Sequence, residues 1–362
     1  MIRRLDWKMS DYILPPWSRM DHAVHGESAM FVLENTARLL FPARSIQRVW
    51  CPATGVVYQR GKDYCFEEGD DFITRPEGSS IPFISEETLY PPDEKSIYYP
   101  APGSNAVRGK IGGGNIWFTA MNAYAKAQTE IDYTADRIDF LPGDLHEQKD
   151  RLPRFRSLLS GKEDLRITLL GDSISEGYNA SAYIKVPPFQ PCYAELINQE
   201  LEAAHPGKLI FHNRGVNGTG CRYGLTTILE EWKKDCPDLL ILAYGMNDFH
   251  AMTAEEFLRY NQELIAHARM INPRVEVLIL IPMAGNPIWE YTKPGRDEEF
   301  AEAVLRFWKN AGLAFAIADI RNVWLHMMAR KGFYALTGNG VNHPNDFGHR
   351  VYASVVLSVL LS

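Results

Sequence analysis

The feature that most restricts the fold is an alternation that begins at Leu165. Five apolar runs of strand length, Arg166–Leu170, Lys208–His212, Leu239–Tyr244, Glu276–Ile281 and Ala314–Asp319, are separated by segments with helical patterning. Those segments are Pro191–Ala204, Leu225–Lys234, Ala254–Ile271, Asp297–Ala311 and Asn322–Lys331, and Asp346–Leu361 closes the chain. Apolar strands interleaved with helices at this spacing imply a parallel sheet covered on both faces. Right-handed crossovers then bring the carboxyl ends of all the strands to one edge, where open α/β sheets bind ligands. Thr253-Ala254-Glu255-Glu256 opens one helix with a capping threonine and acids in the first turn, and Asn272-Pro273 ends it.

Upstream the pattern is different. From Ser28 to Asp139 short β-prone runs alternate with turn residues: Ala29–Leu33, Ser45–Trp50, Gly55–Gln59, Tyr64–Phe66, Phe72–Arg75, Asn115–Thr119 and Thr129–Thr134. Gly61-Lys62-Asp63 and Glu68-Gly69-Asp70-Asp71 read as hairpin turns. Many short strands with little helix imply a sandwich-like module, and 362 residues suffice for two cores. The chain therefore divides into an all-β sandwich-like domain over residues 1–145 and an α/β domain over 146–362. The polar segment His146–Lys162 reads as a joining helix broken at Pro153. Gly112-Gly113-Gly114 lacks the Gly-Lys-Ser/Thr that would make it a phosphate loop, and reads as a flexible loop.

A net charge of -7 without a Lys/Arg-rich run argues against a nucleic-acid partner. No apolar run is long enough to span a bilayer. Met1–Lys8 has early positive charge but no apolar stretch behind it, so it is not a secretory signal, and a cytoplasmic location is expected. The five cysteines, Cys51, Cys65, Cys192, Cys221 and Cys236, include no Cys-x-x-Cys pair. Buried reduced thiols fit that pattern, with a Cys51–Cys65 pair across a hairpin as the alternative. His22 and His25 have a metal-like separation but no partner set, and the remaining histidines are scattered, so neither metal nor cofactor is expected. Composition leaves the oligomeric state open.

The residues just past each strand carry the chemistry. After the first strand comes Gly171-Asp172-Ser173, after the second Asn213-Arg214-Gly215-Val216-Asn217-Gly218, and after the third Gly245-Met246-Asn247-Asp248. Asn342-His343-Pro344-Asn345 precedes the last helix. Taken singly, these are turn, cap and surface residues. Taken in order at one sheet edge, they bring together a hydroxyl, a glycine N–H, an asparagine amide and an imidazole. Acyl transfer needs that set: a nucleophile, a base, and donors aimed at the developing oxyanion.

These four blocks resemble the SGNH (GDSL-type) hydrolase superfamily of esterases and lipases. Gly-Asp-Ser at 171–173 matches its first block, Gly215 its second, Gly-Met-Asn-Asp at 245–248 its third and His343-Pro344-Asn345 its last; the likeness runs from Leu165 to Ser362. It implies a flavodoxin-like three-layer α/β/α fold, with Ser173 as nucleophile, His343 as base, and the Ser173 N–H, Gly215 N–H and Asn247 amide as the oxyanion site. The β-module followed by such a domain is similar to certain two-domain carbohydrate acetylesterases. One position departs from the pattern. The family usually places an aspartate three residues before the histidine, and here that residue is Gly340. The resemblance then implies either a Ser–His dyad or a triad completed by a remote acid, with Asn342 and Asn339 as possible orienters of the ring and Asp346 a poor substitute.

The expected function is a serine esterase acting on short acyl esters, acetyl foremost, on a carbohydrate, with a small-molecule or oligosaccharide ester as its partner. Activity should fall below about pH 6.5 unless the site shifts the histidine. Tyr178–Tyr183, Val186-Pro187-Pro188-Phe189 and Asn286–Tyr291 are candidate walls, and Tyr98 and Tyr99 candidate sugar contacts. His349 is expected to pack on the final helix. The alternatives are another ester or thioester hydrolase, such as a lysophospholipase or thioesterase, and a non-catalytic carbohydrate-binding module.

Overall fold

The computed structural model describes residues 23–110, 112–136 and 148–361. Its amino-terminal half is strand-rich and mostly antiparallel. The strands are β1 (Ala23–Ala29), β2 (Phe31–Val32), β3 (Thr36–Arg38), β4 (Ala43–Cys51), β5 (Val56–Val57), β6 (Phe72–Thr74), β7 (Phe83–Ile84), β8 (Ala106–Arg108), β9 (Asn115–Trp117) and β10 (Thr129–Ala135). Four of them form an antiparallel sheet in the order β1-β10-β4-β5. β3 with β6 and β8 with β9 make antiparallel ribbons, and β2 with β7 a parallel one. The turn at Gly61-Lys62-Asp63 forms because the Asp63 carboxylate accepts the Gln59 N–H at 2.9 Å and the Ser80 hydroxyl at 2.7 Å. These bonds, that from Gln59 first, hold its carboxyl below the usual range. All five cysteines are free thiols. The expected boundary near residue 145, the segment Met1–Lys8 and His22 lie outside the described residues.

The helix expected to break at Pro153 instead begins there and runs Pro153–Ser160. Proline suits a first helical position, where its missing N–H would have had no partner. The next two N–H groups, of Arg154 and Phe155, donate to the buried Glu276 carboxylate at 3.1 and 2.6 Å. Then come β11 (Leu165–Gly171), β12 (Leu209–Gly215), β13 (Leu239–Ala243), β14 (Glu276–Ile281) and β15 (Phe315–Asp319). They pair in parallel in the order β12-β11-β13-β14-β15, a flavodoxin-like arrangement that switches direction at β11/β13. Period-two alternation divides the side chains between two cores. Leu278 and Leu280 of β14 join the helices 193–204, 320–331 and 346–360, while Val277, Ile279 and Ile281 join 254–271 and 296–310. The single helix expected over 225–234 is two short ones, Cys221–Thr226 and Leu229–Trp232, followed by a 3₁₀ turn.

The first core does not stop at the α/β layers. Phe31, Val49, Ile131 and Tyr133 of the β-module belong to the same buried cluster as Val355 and Trp324. Polar bonds cross the same seam. Glu27 on β1 pairs with Lys331, both side chains wholly buried, and also accepts the Tyr133 hydroxyl at 2.6 Å. Arg350 donates to the Gly26 carbonyl at 2.5 Å and lies 3.4 Å from Glu130. No helix among the described residues is long and apolar enough to cross a membrane.

Candidate active site

At the end of β11 the chain turns into a one-turn helix, Ser173–Glu176. Asp172 caps it, accepting the Ile174 N–H at 3.0 Å. Ser173 holds the first helical position, where the N–H has no partner within the helix. Its Oγ lies 2.9 Å from Nε2 of His343, which is carried on the loop before helix 346–360. Ser173 is 2% exposed and His343 8%, so the pair meets in a largely dry setting.

The histidine loop is fixed from both halves of the molecule. Asn339 Oδ1 accepts the N–H groups of Val341, Asn342 and His343 at 3.0, 3.1 and 3.2 Å. The Thr337 hydroxyl donates to the His343 carbonyl at 2.9 Å. From the β-module, Gln128 donates to the carbonyls of Tyr334 and Thr337, at 3.1 and 2.7 Å, and Ser28 to that of Ala335. His343 Nδ1 stands 2.7 Å from Asn179 Oδ1 and 3.0 Å from Asn339 Nδ2. Asn342 bonds Asn339 rather than the ring, and Asp346 accepts the Ser181 N–H at 2.8 Å. Among the described residues no carboxylate bonds His343. Burial, and next the proximity of His349, push its pKa down to about 3. His349 packs on the final helix as expected, wholly buried, with its Nε2 3.2 Å from the Tyr178 carbonyl.

Gly340, the position of the family's usual aspartate, has φ +91°. A first side-chain carbon there would run into the Trp117 carbonyl oxygen and lie 2.5 Å from the Tyr124 hydroxyl, both from the β-module. Asn179 is the polar neighbour of the ring that sequence reasoning placed only in a wall. Its left-handed backbone, φ 63°, is a conformation asparagine tolerates, but nothing in the sequence tells which way the amide points.

The expected oxyanion donors separate. Asn247 sits at the cap position of helix 248–251 without capping it. Its Nδ2 instead donates to the Thr219 carbonyl at 2.8 Å, and the residue lines a cleft shared with His343. Gly215 is not in that cleft. β12 extends three residues past His212, so Gly215 is a strand residue paired with Gly171, and its N–H donates to Asn213 Oδ1 at 3.0 Å. A side-chain carbon at 215 would lie 2.5 Å from the Glu176 nitrogen, so close packing of strand and helix accounts for this glycine. Gly218, three residues on, lines the cleft beside Asn247. The glycine facing the site is therefore the second of the two in this loop.

The cleft measures about 710 Å³. The α/β half lends it Trp289 and Tyr291, as expected of the segment after β14, and the β-module lends Tyr98, Tyr99, Arg108 and Phe118. The two contributions are stitched together: Lys110 N donates to the Ile288 carbonyl at 2.9 Å and Glu290 N to that of Arg108 at 3.3 Å. Tyr98 is held rigidly, its hydroxyl on Asp93 at 2.7 Å and Arg108 stacked 4.3 Å over its ring. Tyr178 and Asn179 also line the cleft, whereas Pro187 and Pro188 line a different, smaller cavity against the β-module. No group of three or more metal-ligating side chains occurs among the described residues.

Among solved structures, the chain is similar to the acetylxylan esterase of Geobacillus stearothermophilus, with 16% identity, a TM-score of 0.45 and coverage of 56% of this chain and 96% of that one. It is similar to a lipase/acylhydrolase of Enterococcus faecalis, with 18% identity, a TM-score of 0.42 and coverage of 53% and 93%. A two-domain esterase active on acetylated mannans gives 20%, 0.43, and coverage of 57% and 50%. No curated protein sequence matches. The model of the GDSL-like lipase/acylhydrolase family matches residues 169–351, from the end of β11 into the final helix, and so takes in the Ser173 turn, the Asn247 loop and His343. This chain belongs to the GDSL-like lipase/acylhydrolase family.

Proposed function

We propose that the chain is a serine esterase that removes short acyl groups, acetyl foremost, from a carbohydrate. The observation that carries the reading is the 2.9 Å contact between Ser173 Oγ and His343 Nε2, with His343, Asn247 and Gly218 lining one cleft. In the proposed reaction Ser173 Oγ attacks the ester carbonyl carbon while its proton passes to Nε2. The tetrahedral oxyanion takes hydrogen bonds from the N–H groups of Ser173 and Gly218 and from the Asn247 amide. The imidazolium then protonates the departing alcohol. Water, giving its proton to the same nitrogen, attacks the acyl carbon and releases the acid and free Ser173. No metal enters these steps. For the alcohol portion, a cleft of this size with aromatic faces and polar edges suits a sugar ring. Tyr98 and Trp289 are the faces from the two halves, and Arg108 and Glu290 the charged rim.

A substrate series tests the proposal. p-Nitrophenyl acetate should be cleaved with higher kcat/KM than the butyrate and decanoate, acetylated oligosaccharides should release acetate, and Ser173→Ala should abolish both activities. Trp289→Ala should raise KM for the saccharide far more than for p-nitrophenyl acetate. Preference for decanoyl esters or for thioesters would replace the acetyl reading. Saccharide binding with no turnover and no labelling of Ser173 by a fluorophosphonate would make the protein a binder.

A further inference from the structure

We infer that Asn179 is the positioning residue of the catalytic histidine: its carboxamide oxygen, fixed from behind by the Gly338 carbonyl, holds His343 in the Nδ1–H tautomer and so leaves Nε2 free to take the serine proton. This role rests on the proposed Ser173–His343 chemistry and deepens it. Asn179 Oδ1 is 2.7 Å from Nδ1, too close for two facing lone pairs, so a proton lies between them. An asparagine in this place fails if its amide turns over and donates into the ring, because the imidazole then carries its proton on the wrong nitrogen. Here Asn179 Nδ2 donates to the Gly338 carbonyl at 3.1 Å, which sets the oxygen toward the ring. The competing amide, Asn339 Nδ2 at 3.0 Å, cannot offer an oxygen instead. Its own Oδ1 holds three backbone N–H groups, and its Nδ2 also donates to Asn342 Oδ1 at 2.9 Å.

The β-module makes this arrangement necessary. Trp117 and Tyr124 fill the space that a side chain on residue 340 would need, so an acid from that position has no room. The loop after the nucleophile supplies the partner instead, and Ser173 and the group that orients its base lie six residues apart on one short segment. The titratable groups around the ring are Ser173 at Nε2, Tyr178 with its ring centroid 5.4 Å away, and His349 behind Tyr178. The nearest acid in sequence, Asp346, is engaged by Ser181.

The test uses the full chain, with wild type, Asn179→Gly, Asn179→Asp and Ser173→Ala each checked for thermal unfolding. Glycine accepts φ 63° and removes only the side chain. Asn179→Gly should lose about a hundredfold in kcat with KM nearly unchanged, out of the 10²–10⁴ that a positioned general base contributes. In Asn179→Asp a charge beside Nδ1 should move the acid limb of kcat/KM upward by about one to three pH units. Nitrogen-15 spectra of histidine-labelled wild type should show His343 protonated at Nδ1. An Nε2–H tautomer, a kcat for Asn179→Gly within threefold of wild type, or an Asn179→Asp profile superimposed on wild type would each overturn the role. If Asn179→Gly does not fold, the profile and the spectrum decide. Turnover surviving in Ser173→Ala would instead overturn the underlying esterase reading, so the two failures are distinguishable.

Discussion

Burial of a base changes where a reaction runs. An ordinary histidine of pKa about 6.5 is only about 3% neutral at pH 5. His343, pushed down to about 3 by burial, is still the free base there. The rate should therefore stay level from pH 7 to pH 5, rather than falling about twenty-five-fold as it would for a base of pKa about 6.5, and a pH–rate profile for p-nitrophenyl acetate checks this. The same shift has a stability sign. Between the two pKa values the unfolded chain binds a proton that the folded one refuses, so His343 contributes stability above about pH 6.5 and loses it progressively as pH falls toward 3. Two asparagines separate chemistry from scaffolding. Asn247→Ala should cost about 10²–10³ in kcat, the usual loss for one oxyanion donor. Asn213→Ala removes bonds to Gly215 N and the Ser175 carbonyl and should cost about 1–3 kcal/mol in urea unfolding, with a much smaller effect on kcat. That Ser173, Asn247 and His343 come to one edge of the sheet was legible because right-handed crossovers gather the strand ends there, whereas each residue singly reads as turn, cap or surface. Gly215 was misread because β12 runs three residues further than its apolar pattern, which stops at His212.

At the scale of elements, boundaries were readable where local chemistry decides them. The helix Ala254–Ile271 has its expected limits because Thr253 and Glu256 close a reciprocal cap. Helix 153–160 was misplaced because its start depends on Glu276, more than a hundred residues away, accepting its free N–H groups. The ribbon β8–β9 illustrates the same limit. Its three-residue strands carry little pattern, yet through Trp117 it closes off residue 340, and through Arg108 it walls the cleft. This gives a prediction against intuition. Gly340→Asp, which restores the family's usual acid, should not improve the enzyme. It forces a side chain against Trp117 and Tyr124 at positive φ, costing about 1–3 kcal/mol for overpacking and about 1–2 more for backbone strain. A lower urea midpoint with no gain in kcat is expected.

Across the whole molecule, the two halves differ in sequence pattern but share one core, so the accessory module is part of the machine that holds His343. The Glu27–Lys331 pair tests how tightly. Both side chains are fully buried, and Glu27 also takes the Leu40 N–H at 2.9 Å and the Tyr133 hydroxyl. Removing one member strands the other as an uncompensated charge, so Lys331→Met should cost about 3–5 kcal/mol. The double variant Glu27→Gln/Lys331→Met keeps a carbonyl oxygen for the Leu40 N–H, turns an NH2 donor toward the Tyr133 oxygen, leaves no stranded charge, and should recover most of that loss. Because Phe31, Val49, Ile131 and Tyr133 sit in one cluster with Trp324 and Val355, every variant should still unfold in a single step. Tryptophan fluorescence and esterase activity should then fall together along the urea axis. If the halves were independent, fluorescence would show two transitions and activity would follow only one of them.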